Sequence, residues 1–129
     1  MNREELTQYI LETYNADQDY PWVKYPNFTV FRHEGNKKWF ALIMDISRSK
    51  LGLQGDEIID VVNLKCDPIL IGMLRQEKGF YPAYHMNKTS WITAALDGIV
   101  PDDKLKMLLD MSFNATAEKV KKPNRHSSE

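Results

Sequence analysis

The chain has 129 residues, a formal charge of −1, 43% hydrophobic and 27% charged side chains. That length buries one proper core without staples, and that balance excludes both a disordered polymer and a strongly cationic nucleic-acid protein. The charge is uneven: residues 1–20 carry net −4 and residues 21–95 net +3, so an acidic first segment adjoins a mildly basic middle.

A lone cysteine, Cys66, excludes an internal disulfide and suits a reducing compartment. Met1 to Glu5 has no apolar signal region, and no apolar run approaches the ~18 residues that span a bilayer. The expectation is a cytoplasmic protein without membrane contact. Residues 1–120 are expected to form one domain and 121–129 a polar, frayed tail.

Asn2 with Glu5 reads as a capping box, and Leu6, Tyr9, Ile10 and Tyr14 place one apolar stripe on the helix it opens. Glu4, Glu5 and Glu12, with Asp17 and Asp19 just beyond, fall mainly on its outer side. Tyr20-Pro21 marks the break, because a residue before proline is pushed out of the α region. Trp22 to Pro26 reads as an extended connector. Phe28–His33 and Trp39–Ile46 read as a hairpin across Glu34-Gly35-Asn36-Lys37, and the second strand, apolar on both faces, belongs in the middle of a sheet. Ser47–Glu57 is a polar loop and Ile58–Leu64 a third strand.

Asp67-Pro68 starts a helix with an N-cap acceptor and an N1 proline, and Gly79 is the expected C′ glycine. Trp91–Leu96 reads as a last strand. Pro101 opens a helix with Leu105, Leu108 and Leu109 inside, and a short final helix is expected around Ala115–Val120. The order α-β-β-β-α-β-α predicts an α+β domain, a small antiparallel sheet with helices packed on one face.

The stretch from Gly79 to Trp91 is the densest in site-type residues. Tyr81, Tyr84, His85, Asn87 and Lys88 can form a binding surface, or a polar turn bonded to its own backbone. No nucleophile stands at a readable spacing, so no catalytic residue is assigned. Cys66 beside Lys65 could be reactive, but Asp67 opposes a thiolate and lone cysteines are ordinarily buried small hydrophobes. No metal-ligand spacing and no phosphate loop occurs, so neither metal nor cofactor is expected. Lys24, Lys37, Lys38, Arg48 and Lys50 stand in loops, where they could contact phosphates or simply guard sheet edges.

Lys24-Tyr25-Pro26-x-Phe28-x-Val30-Phe31-Arg32-His33, Asn36 to Ala41, Asn63 to Pro68 and Gly79 to Lys88 with Trp91-Ile92 together resemble the MmcQ/YjbR family over nearly the whole chain up to about Phe113. The resemblance implies a small bacterial α+β domain, CyaY-like (frataxin-like) in fold. It also implies a comparison with a phage transcription factor's double-wing domain, hence DNA as a partner. The family pattern has a histidine just before the tryptophan; this chain has Ser90 there, so a two-histidine site with His85 is not implied.

Three functions follow as expectations. The first is a non-enzymatic domain that binds DNA through Lys24, Lys37, Lys38, Arg48 and Lys50. The second is a pocket for a small anionic or nucleotide-like ligand, drawing on Arg32, Lys65, Tyr81, Tyr84, His85, Asn87 and Lys88. The third is metal or protein binding by the acidic first helix.

Overall fold

The computed structural model describes residues 1–118. Helix α1 (Arg3–Thr13) opens with the expected capping box: Asn2 Oδ1 accepts from Glu5 N–H, and Glu5 Oε1 accepts from Asn2 N–H. It ends earlier than the proline break, because Tyr14 turns extended to stack on Phe113 at 4.4 Å. The chain then runs straight into strand β1 (Ala16–Asp19). Asp17 and Asp19 therefore sit on a strand and not beside a helix.

Strands β2 (Thr29–His33), β3 (Trp39–Ser47) and β4 (Ile58–Lys65) follow, with a 3-10 turn (Arg48–Leu51) inside the polar loop. Helix α2 (Pro68–Leu74) has Asp67 as its N-cap, accepting from Ile69 N–H. It stops at Leu74, so Gly79 is not its C′ residue. Gly79 instead turns the chain into strand β5 (Phe80–Pro82) with φ +93°, where an added Cβ would meet Val100 at 2.6 Å. Strand β6 (Trp91–Ala95) and helix α3 (Asp102–Thr116) complete the fold. Helix α3 runs through to Thr116 and takes in the start of the separate helix expected near Ala115–Val120; Ala117 turns extended and ends it, Glu118 is not helical, and residues 119–120 with the tail 121–129 lie outside the described residues.

The six strands order as β1-β2-β3-β4-β6-β5, all neighbours antiparallel. The expected α+β architecture holds, with two short edge strands added to the expected order and β3 in the middle. All three helices lie on one face. Leu6 and Ile10, Ile71 and Leu74, and Leu105, Leu108 and Leu109 close over Phe31, Ile43, Val62, Leu64 and Ile92. Buried apolar side chains of that size each contribute about 1.5–3 kcal/mol.

The other face carries its own, smaller core: Phe28, Val30, Leu42, Met44, Ile46 and Val61, covered by Trp22, Tyr84 and Met86 from two non-helical segments. One irregularity divides residues between the faces. Phe31 pairs with Ala41 but Arg32 pairs with Trp39, which leaves Phe40 as an extra residue, a β-bulge. Phe40 and Ala41 consequently both join the helix-side core, and Trp39 turns to the open face.

Candidate functional site

Two segments approach each other over the open face, Trp22–Phe28 and the turn after β5, and leave a cavity of about 280 Å³ between them. Leu42 and Met44 form its floor. Trp22, Tyr25 and Phe28 make one wall, His85 and Met86 the other, and Trp39 closes one end. The rings brace one another: Trp22 meets Trp39 edge-on at 5.5 Å, and Tyr25 stacks on Phe28 at 4.8 Å. Such a slot accepts one flat ring system, since it stands at the small end of ligand pockets.

The second wall is held from below by a buried polar pair. Asn63 of β4 and Thr93 of β6, cross-strand partners with no exposure, share a hydrogen bond in which the Thr93 hydroxyl donates. Thr93 Oγ1 also accepts from Tyr84 N–H at 3.1 Å, and Asn63 Nδ2 donates to the Tyr84 carbonyl at 2.7 Å. Both backbone groups of Tyr84 are thereby satisfied from the sheet, and His85 follows in the left-handed region at φ +66°. A non-glycine residue there carries strain that the surrounding bonds must hold in place. His85 is exposed, with its ring 4.1 Å from that of Tyr84 and 6.4 Å from that of Phe28.

The cavity continues along β3. A second depression shares Tyr25, Phe28 and His85 with it and adds Asp45, Lys50 and Tyr84; a third shares Lys50 and Tyr84 with the second and adds Lys88. One groove therefore leads from an aromatic slot to two lysines. At the slot's other end the Arg32 guanidinium lies 5.4 Å from the Trp39 ring centre, and the Lys65 ammonium lies 5.8 Å from that of Trp91. Lys65 pairs with Trp91 and adjoins Leu64, which pairs with Ala41, so both cations stand near the Trp39 end of the sheet.

The expected ligand residues thus separate. Tyr84, His85 and Lys88 line the groove. Arg32 is drawn to Asp19, with Nη2 at 2.9 Å, and stands behind Trp39. Asn87 Oδ1 accepts from Thr89 N–H, and its carbonyl accepts from Trp91 N–H, so this amide builds the turn and does not face the cavity. Tyr81 sits half-buried on β5 opposite Thr93. Ser90 ties the turn to the end of β4, its backbone carbonyl accepting from Cys66 N–H at 2.9 Å. Trp22, Leu42, Met44 and Met86 belong to the site without any local sequence signal; only the aromatic density of Trp22–Phe28 hints at them.

The loop cations divide as well. Lys37 is bound to Asp17 at 2.7 Å, and Arg48 Nε donates to the Gln54 carbonyl, whereas Lys24, Lys38 and Lys50 have no ion pair among the described residues. Lys38 and Arg48 flank opposite ends of β3, roughly 30 Å apart at ~3.3 Å per residue. Of the acidic set, Glu4, Glu5 and Glu12 border a shallow groove with Tyr9 and Asp102, while Asp17 and Asp19 are taken up by Lys37 and Arg32 on the far strand. Among the described residues no three metal-ligating side chains gather, and no helix is long and apolar enough to cross a membrane. Cys66 is buried, and burial together with Asp67 pushes its thiol up from its ordinary value, away from reactivity.

The chain and its fold are similar to those of other proteins. The chain is 41% identical to the "Uncharacterized protein YyaQ" of Bacillus subtilis, over 90% of this chain and 98% of that one. A crystal structure of a Pseudomonas syringae protein superposes with a TM-score of 0.88 at 45% identity, covering 91% of this chain and all of that one. A Deinococcus radiodurans protein with a DUF419 domain gives 0.71 at 25% identity, over 98% and 86% of the two chains. The family model for YjbR matches residues 11–115, from the end of α1 through nearly all of α3 and so including every groove residue named above, and the chain belongs to the YjbR family.

Proposed function

We propose that this domain binds a small anionic, ring-bearing ligand of nucleotide type, non-covalently, in the groove on the open sheet face. The continuity of the aromatic slot with Lys50 and Lys88 carries this reading. A ring held among Trp22, Phe28 and Trp39 gains stacking of about 1–3 kcal/mol, and lysines at the groove's end supply the counter-charge. Duplex DNA gripped by the loop cations is less favoured by the geometry. The two basic tips point from opposite ends of β3.

Titration with nucleotides, followed by tryptophan fluorescence, tests the reading, since Trp22 and Trp39 both line the slot. A saturable change is expected in the native protein and a loss of at least tenfold in affinity in Trp39→Ala, about 1.4 kcal/mol and within the usual stacking range. Failure of every ring-bearing anion, single or joined in a strand, overturns it.

A further inference from the structure

We infer that the natural occupant of this groove is a single-stranded nucleic acid, one of whose bases enters the aromatic slot. The inference rests on the ligand reading above and adds the length of the ligand. Two observations carry it. First, cations stand at both ends of the face: Arg32 and Lys65 by Trp39 and Trp91, Lys50 and Lys88 beyond Tyr84. Second, β3 runs from Trp39 to Ser47 between those ends. Its nine residues span roughly 25 Å, and at ~3.4 Å per stacked nucleotide that is a run of about seven. A mononucleotide with its ring in the slot reaches one end only; a strand reaches both.

Charge and form agree with this occupant. The chain is net −1, yet the open face gathers Arg32, Lys50, Lys65 and Lys88; Asp19 meets Arg32, and Asp45 lines the groove beside Lys50. The slot is walled on both sides by Trp22–Phe28 and His85–Met86 and is wide enough for one ring system, so a paired base inside a duplex cannot enter. An unstacked base can. Rings that accept any base, flanked by lysines and arginine that follow a backbone, are the means by which strands are bound without strict sequence preference.

The test compares four probes of one base composition by fluorescence anisotropy and tryptophan quenching: a mononucleotide, a single-stranded octamer of DNA, the same octamer of RNA, and a duplex. The expected result is that one octamer binds at least tenfold more tightly than both the mononucleotide and the duplex. That advantage should shrink with added salt and largely disappear in Lys50→Glu/Lys88→Glu, two surface changes remote from the core. Equal affinity for mononucleotide and octamer overturns the inference while leaving the slot as a small-ligand site. Duplex binding as tight as single-strand binding also overturns it. Absence of binding by all four overturns both this inference and the reading it rests on.

Discussion

The two faces of the sheet are made by alternate residues of the same strands, yet they are finished differently. The helix face is closed by three helices whose apolar stripes leave Phe31, Phe40, Ile43 and Ile92 without exposure. The open face is closed by two irregular segments that meet only in part, and the gap between them is the aromatic slot. Helices present continuous stripes and seal; turns present isolated side chains and leave room. A small domain can therefore seal one face completely and leave a slot in the other.

Neighbouring residues offer the sharpest way to break that contrast. Phe40→Ala removes a fully buried ring packed on Tyr14, His33 and Phe113, and should cost about 3–5 kcal/mol in urea denaturation. Trp39→Ala, one residue away on the open face, removes a half-buried ring that already borders empty space and should cost clearly less. Equal losses would mean that both faces are tightly packed cores of one kind.

A smaller effect examines how the open face is held. Thr93→Val keeps the shape but strands Tyr84 N–H and Asn63 Oδ1, costing about 1–3 kcal/mol. The loss should come with faster amide exchange from Tyr84 to Met86 and little change in α3. Uniform acceleration across the chain would show that the pair supports the whole fold and not the slot wall alone.

The smallest effect belongs to the helix face and pH. His33 is buried, its Nε2 bonded to Thr116 Oγ1 at 2.8 Å and its ring against Phe113 at 4.2 Å. Burial, with Lys38 nearby, holds its pKa below the ordinary 6.5, against a raising contribution from a backbone bond at Phe113. Below that ordinary value the unfolded chain binds a proton that the folded chain refuses, so stability falls as pH drops from about 6.5 and levels once folded His33 protonates. Denaturation at about pH 7.5 and about pH 5.5 should show the drop, and His33→Gln should flatten it. An unchanged slope in that variant would assign the pH dependence elsewhere.

Much of the helix face was legible in the residue pattern. The capping box at Asn2, the Asp67-Pro68 start and the apolar strands all report local chemistry. Strand β1 was not, because Ala16-Asp17-Gln18-Asp19 has poor strand propensity and is formed by pairing with β2 and by ion pairs to Arg32 and Lys37. Strand β5 is three residues ending in a proline, too short to leave a period. The site was half legible. Tyr84, His85 and Lys88 advertise themselves by type, but the wall they face comes from Trp22–Phe28, about sixty residues earlier, and only the fold brings the two together. Asn87 and Arg32 looked alike as polar candidates; one proves to shape a turn and the other to hold an edge strand.

The bulge at Phe40 turns residue number into an architectural variable. Side chains in a strand change face at each step except across a bulge, where two neighbours share one face, so the bulge at Phe40 and Ala41 decides which face Trp39 takes. Here it delivers two adjacent large aromatics to opposite destinations, Phe40 to the core and Trp39 to the groove. Deleting Phe40 would remove the ring and the bulge together: Trp39 would adjoin Ala41 in a regular ladder and stay beside Arg32 on the open face. Straightening the bulge with Phe40 retained would do the opposite, swinging Trp39 toward the helices and taking away the end of the slot. In this sheet, one bulge in a central strand decides which of two neighbouring rings closes the slot, even where every residue type is retained.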